Sequence, residues 1–145
     1  MATRLSLLLI EDSPGECELF RLALDKAGVD VELVTRHEPQ AAWHVLTARA
    51  YDALPVLILL DWHLPPSRGD EFLTRMRTHA PFASIPVIVF STSDDSSDIA
   101  AGYSRGANGY VVKPGTFDEL VRFAGDLCRY WLQWNRSLSV AGMPC

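Results

Sequence analysis

Four charged side chains stand directly after apolar runs, and they set out the chemistry this chain is equipped for. Leu5-Ser6-Leu7-Leu8-Leu9-Ile10 ends in Glu11-Asp12, Leu57-Ile58-Leu59-Leu60 ends in Asp61, and Tyr110-Val111-Val112 ends in Lys113-Pro114. A short apolar run bounded by turn signals reads as a strand buried on both faces, as in a parallel sheet. Ligands of such sheets bind in the crevice beyond the carboxyl ends of the strands. Charges that each follow a strand therefore converge on one place, although they lie far apart in sequence. Three acids and a base in one crevice suit a divalent cation and a phosphoryl group.

The segments between the runs must carry the chain back across the sheet. Ser13-Pro14-Gly15-Glu16 predicts a helix start, with Ser13 as N-cap, Pro14 at the first helical position and Glu16 closing a capping box. Phe20, Ala23, Leu24 and Ala27 give that helix an apolar face, and Gly28 ends it. Val29 to Thr35 predicts a second strand, nearer an edge because Val31 and Leu33 alternate with polar neighbours. Pro39 opens a second helix buried through Ala42, Val45 and Leu46. A loop of about eight residues follows Asp61 before a third helix near Gly69, marked by Phe72, Leu73 and Met76. Pro86 to Phe90 is a fourth strand, Ser97 to Arg105 a weak helix ending at Gly106, and Gly109 to Val112 a fifth strand. A last helix runs from Thr116. Five strand–helix units predict one α/β domain over residues 1–145, a doubly wound five-stranded parallel sheet with helices on both faces. Its core spans about 5–134, with a tail at 135–145.

Composition excludes several classes. A net charge of −5 lacks the basic stripe that nucleic acid requires. The apolar stretch after Arg4 is too short for a signal sequence or a membrane span. Cys17, Cys128 and Cys145 are odd in number and widely spaced, which reads as reduced thiols in a cytoplasmic protein. Gly102, Gly106 and Gly109 follow no strand in a GxGxxG pattern, so a dinucleotide site is not expected.

Taken together, these motifs resemble the receiver domain of bacterial two-component response regulators, of the chemotaxis-regulator type. Leu8-Leu9-Ile10-Glu11-Asp12-Ser13 is similar to the family's acidic pair. Leu57 to Gly69, with Pro65 four residues after Asp61, is similar to the phosphoacceptor segment. Pro86-Val87-Ile88-Val89-Phe90-Ser91 is similar to the strand ending in Ser or Thr, and Ala107 to Pro114 to the aromatic-x-x-Lys-Pro segment. The resemblance implies the flavodoxin-like strand order 2-1-3-4-5. It implies that Asp61 accepts a phosphoryl group from a sensor histidine kinase. Mg2+ would be held by Asp12, Asp61 and the backbone carbonyl of His63, with Glu11 acting largely through water. Ser91 and Lys113 would bind phosphoryl oxygens, Tyr110 would swing inward behind Ser91, and Lys113–Pro114 would be a cis peptide.

Simpler readings stand beside these. Asp12 alone serves equally well as a helix cap, Ser91 as a cap in a Ser/Thr/Asp cluster, and Tyr110 as sheet packing. Lys113 is one of two lysines against eleven arginines, which favours a specific role for it. His63 and Ser93 stand at the two positions that flank the attacking water in the family, and Arg68 replaces a frequent acid. The chain also resembles the stand-alone regulators of phytochrome-type histidine kinases, in its start, its Ser91 to Asp95 loop and the Tyr130–Trp134 end of its last helix. Tyr130, Trp131 and Trp134 are the interface candidates, and a homodimer through the last strands and helix is expected. The expected output is a changed interaction surface or a phosphorelay, rather than enzymatic turnover of a substrate. Two alternatives are a phosphorylation-independent binding module and an aspartyl-nucleophile phosphohydrolase. The latter calls for a second Asp where His63 stands.

Overall fold

The apolar runs pair side by side, because strands without a polar face must be covered on both sides. A computed structural model describes residues 4–65 and 67–136. Within them β1 (Ser6–Ile10), β2 (Glu32–Arg36), β3 (Leu57–Leu60), β4 (Val87–Ser91) and β5 (Gly109–Val112) form one parallel sheet, ordered β2-β1-β3-β4-β5. This is the expected doubly wound order, and β2 is an edge as anticipated. Tail residues 137–145, including Cys145, lie outside the described residues.

Among the described residues five α-helices return the chain: α1 (Pro14–Lys26), α2 (Pro39–Ala48), α3 (Gly69–Arg77), α4 (Ser96–Ser104) and α5 (Phe117–Cys128). One apolar cluster joins α2 and α3 to one face of the sheet through Trp43, Leu46, Phe72, Leu73 and Met76. The other joins α1 and α5 through Phe20, Leu24, Ala124 and Leu127, with Trp131 partly buried against it. Successive residues of β1 and β3 alternate between the two clusters, as a period of two requires.

Three details depart from the sequence reading. The second strand starts at Glu32, not Val29, because Val29 N–H is spent on Leu24 O (3.1 Å) and Gly28 N–H on Asp25 O (3.1 Å). Those bonds form a Schellman cap, with Gly28 at φ +73°. The loop after Asp61 contains a small antiparallel ribbon pairing His63 with Arg68 and Leu64 with Ser67. The last helix is α-helical only to Cys128 and continues as a π-helical segment over Arg129–Trp134.

Candidate functional site

Register brings the charges together. Ile10 lies beside Leu60 in the β1–β3 pair, and the ladder continues one step further with Asp61 N–H donating to Ile10 O (3.0 Å). On the far side Ser91 pairs with Val112, and Lys113 N–H donates to Ser91 O (2.8 Å). Glu11, Asp12, Asp61, Ser91 and Lys113 therefore gather at the carboxyl ends of the strands, on one side of the sheet.

Glu11, Asp12 and Asp61 each offer an oxygen within 4.8 Å of the others. Glu11 and Asp61 are buried while Asp12 faces solvent. Lys113 Nζ lies 2.6 Å from Glu11 Oε1, 2.9 Å from Glu16 Oε1 and 3.6 Å from Asp61 Oδ2. Burial pushes the Glu11 carboxyl up to about 9, and hydrogen bonding and like charge from Asp61 add to that, against the pull of Lys113. Burial alone would lower the Lys113 pKa, but its bonds to Glu11 and Glu16 and the charge of Asp61 outweigh burial, so it stays an ammonium. One lysine does not neutralise this many acids. Hard oxygen donors, surplus negative charge and an exposed ligand on the open side fit a divalent cation that keeps part of its water.

The remaining candidates are distributed as follows. His63 N–H donates to Asp61 Oδ1 (3.2 Å), which fixes the backbone beside the acids. Its imidazole is half-exposed and points instead to Asp98 (3.5 Å) on α4. Asp98 also accepts from Ser93 Oγ at 2.7 Å and lies 3.8 Å from Arg68. Ser91 is fully buried, its Oγ accepting from Ser93 N–H (3.2 Å). Tyr110 donates its hydroxyl to Ser93 O at 2.8 Å, which ties β5 to the loop after β4. Tyr130 and Trp134 are exposed. They belong to the opposite end of the sheet, where neighbours Arg129 and Leu132 line a cavity with Leu5 and Val29.

Two expectations are corrected. Glu16 does not close a capping box. Ser13 Oγ accepts from Glu16 N–H (3.2 Å), but the Glu16 carboxylate turns to the Lys113 ammonium, a stronger partner than a backbone N–H. Lys113–Pro114 is trans; among the described residues the cis peptide is Ala80–Pro81. The Asp98 cluster has no counterpart among the sequence motifs, because a first-turn helix acid carries no signal beyond favourable placement against the dipole.

Compared with known proteins, the chain matches the response regulator receiver domain over residues 7–124. It is similar to FilR2, a probable methanogenesis regulatory protein of Methanothrix harundinacea, at 32% identity over 133 residues, covering 90% of this chain and 86% of that protein. It is similar to the response regulator Rcp1 of Synechocystis sp. at 31% identity over 130 residues, covering 88% of each. A crystal structure of Rcp1 in its Mn(2+)-bound form superposes with a TM-score of 0.78 at 28% identity, over 93% of this chain and 99% of that one. The phosphorylated cyanobacterial phytochrome response regulator RcpA superposes at 0.83, with the same identity and coverage.

Proposed function

The chain belongs to the response regulator receiver domain family, and from that premise we propose that Asp61 accepts a phosphoryl group from a sensor histidine kinase in a Mg2+-dependent reaction. The observation that carries this reading is the placement of Asp61, buried at the end of β3 with Glu11, Asp12 and Lys113 around it. An Asp61 carboxylate oxygen attacks phosphorus in line, the bond from phosphorus to the histidine nitrogen breaks, and the imidazole leaves with that electron pair. Glu11, Asp12, Asp61 and the His63 carbonyl would hold the cation, which supplies charge neutralisation for the phosphoryl oxygens.

Lys113 and Ser91 bind the phosphoryl oxygens. To do so Ser91 Oγ leaves the Ser93 N–H, and Ser93 O is where Tyr110 is anchored. That shared residue is the route by which a change at Asp61 reaches the α4–β5 surface, for contact with a partner or onward transfer. A phytochrome-type kinase in the cytoplasm is the proposed donor, on the likeness to RcpA. A homodimer through the last strands and helix completes the reading, supported by exposed Tyr130 and Trp134.

Intact-mass spectrometry after incubation with acetyl phosphate and Mg2+ tests the proposal. One added phosphoryl group that is absent from Asp61→Asn is expected. No gain in the unsubstituted protein would overturn it in favour of a phosphorylation-independent binding module.

A further inference from the structure

Lys113 is held more by two glutamates than by the proposed phosphoacceptor. Its Nζ donates to Glu11 Oε1 at 2.6 Å and to Glu16 Oε1 at 2.9 Å, while the nearest Asp61 oxygen is 3.6 Å away. Glu16 stands apart from the crevice acids. It lies in the first turn of α1, its side chain 47% exposed. With Leu19, Phe20, Lys113, Pro114 and Leu120 it lines a cavity of about 100 Å³ between α1 and the segment that leads into α5. The helix start is already capped by Ser13, so the position of Glu16 is not accounted for by helix capping.

We infer that Glu16 is a positioning residue for phosphoryl transfer, holding the Lys113 ammonium in a reserve position from which it must be drawn to reach a phosphoryl oxygen on Asp61. The inference rests on the proposal that Asp61 is the phosphoacceptor. An ammonium is a compact charge with three rotatable donors, and the two glutamates occupy two of them. A phosphoryl group at Asp61 competes for the same donors. Glu16 thereby stabilises the resting arrangement relative to the phosphorylated one. Its partial exposure keeps the effect small, because a solvated ion pair contributes little. Neutralising Glu16 removes the competitor and leaves the crevice acids intact.

The test uses the full chain and beryllofluoride, a non-covalent phosphoryl mimic, titrated in saturating Mg2+ and followed by fluorine NMR. Mg2+ alone is titrated by calorimetry. Glu16→Gln is compared with Glu18→Gln, which makes the same charge change on the same helix at a residue paired with Arg21 (3.3 Å). Glu16→Gln is expected to bind beryllofluoride about two- to fivefold more tightly, while its Mg2+ affinity does not rise. A merely loosened structure would weaken both. Unchanged or weaker beryllofluoride binding in Glu16→Gln overturns the inference, and so does an equal gain in Glu18→Gln, which would mark a general field effect. If the unsubstituted protein binds Mg2+ but no beryllofluoride, the phosphoacceptor reading itself fails and takes the inference with it.

Discussion

Gly69→Ala places a methyl group against the backbone of the proposed nucleophile. A Cβ built at Gly69 meets the Asp61 carbonyl oxygen at 2.8 Å and Leu60 Cγ at 3.2 Å. The first distance is about 0.6 Å short of ordinary contact, and a carbonyl at a strand end in mid-sheet has little room to yield. Gly69 is buried, and its N–H donates to Trp62 O at 2.9 Å, so neither side of the contact swings away cheaply. Overpacking of this kind costs about 1–3 kcal/mol. The smaller unfolded-state entropy of alanine returns about 0.4–1 kcal/mol. The middles of those ranges leave a net loss of about 1.3 kcal/mol, or a fall in Tm of about 4 °C for a chain of this length. Gly125→Ala in the interior of α5 is the matched control, because its Cβ meets only Ala27 Cβ at 3.7 Å. It should gain about 0.4–1 kcal/mol. Urea unfolding of the two variants measures both signs, and acetyl phosphate labelling of Gly69→Ala should be about three- to tenfold slower because Asp61 is displaced. Equal stabilisation by the two substitutions would refute the reasoning.

Three further outcomes are expected. Arg77 donates to Gly106 O, Ala83 O, Ile85 O and Asn108 Oδ1 at 2.8–3.1 Å, so Arg77→Met should lose about 2–4 kcal/mol in urea unfolding, and Arg77→Lys should not restore the fork. Burial pushes the Cys128 thiol up to about 11 from 9.0; the unfolded chain therefore loses its proton first, and stability present below pH 9 falls as pH rises toward 11. The decline due to this thiol is about 1.4 kcal/mol per pH unit, so Cys128→Ala should show a shallower slope in alkaline unfolding series. Sedimentation should find a dimer at micromolar concentrations, with Tyr130→Ser/Trp134→Ser weakening it at least about tenfold; a monomeric unsubstituted protein refutes that interface.

What was legible in the sequence follows from where each signal lives. β1, β3 and β4 are apolar on both faces, so the runs themselves mark their ends, and with them Glu11, Asp12, Asp61 and Ser91. Lys113 followed because β5 begins at a glycine and ends at a proline segment. The start of β2 was not legible, since Val29 has strand propensity and is claimed by the cap of α1 through one backbone bond to Leu24. Propensity is read from side chains, and that competition is settled by the main chain.

The partners of individual charges were hidden for a different reason. Glu16 fits a capping box by spacing, yet a residue 97 positions away decides where its carboxylate goes. Asp98 looks like an ordinary first-turn acid, yet it gathers His63, Arg68 and Ser93 from two loops that only the sheet order brings together. In both cases local sequence specifies the backbone correctly and leaves the side chain a choice, because several partners lie within reach of the carboxylate. Tertiary placement of the opposite charge makes the choice. The runs that precede them place Glu11, Asp12 and Asp61 at the ends of neighbouring strands, where the carboxylates meet, whereas the contact of Glu16 with Lys113 emerges only once α1 and β5 are seen side by side.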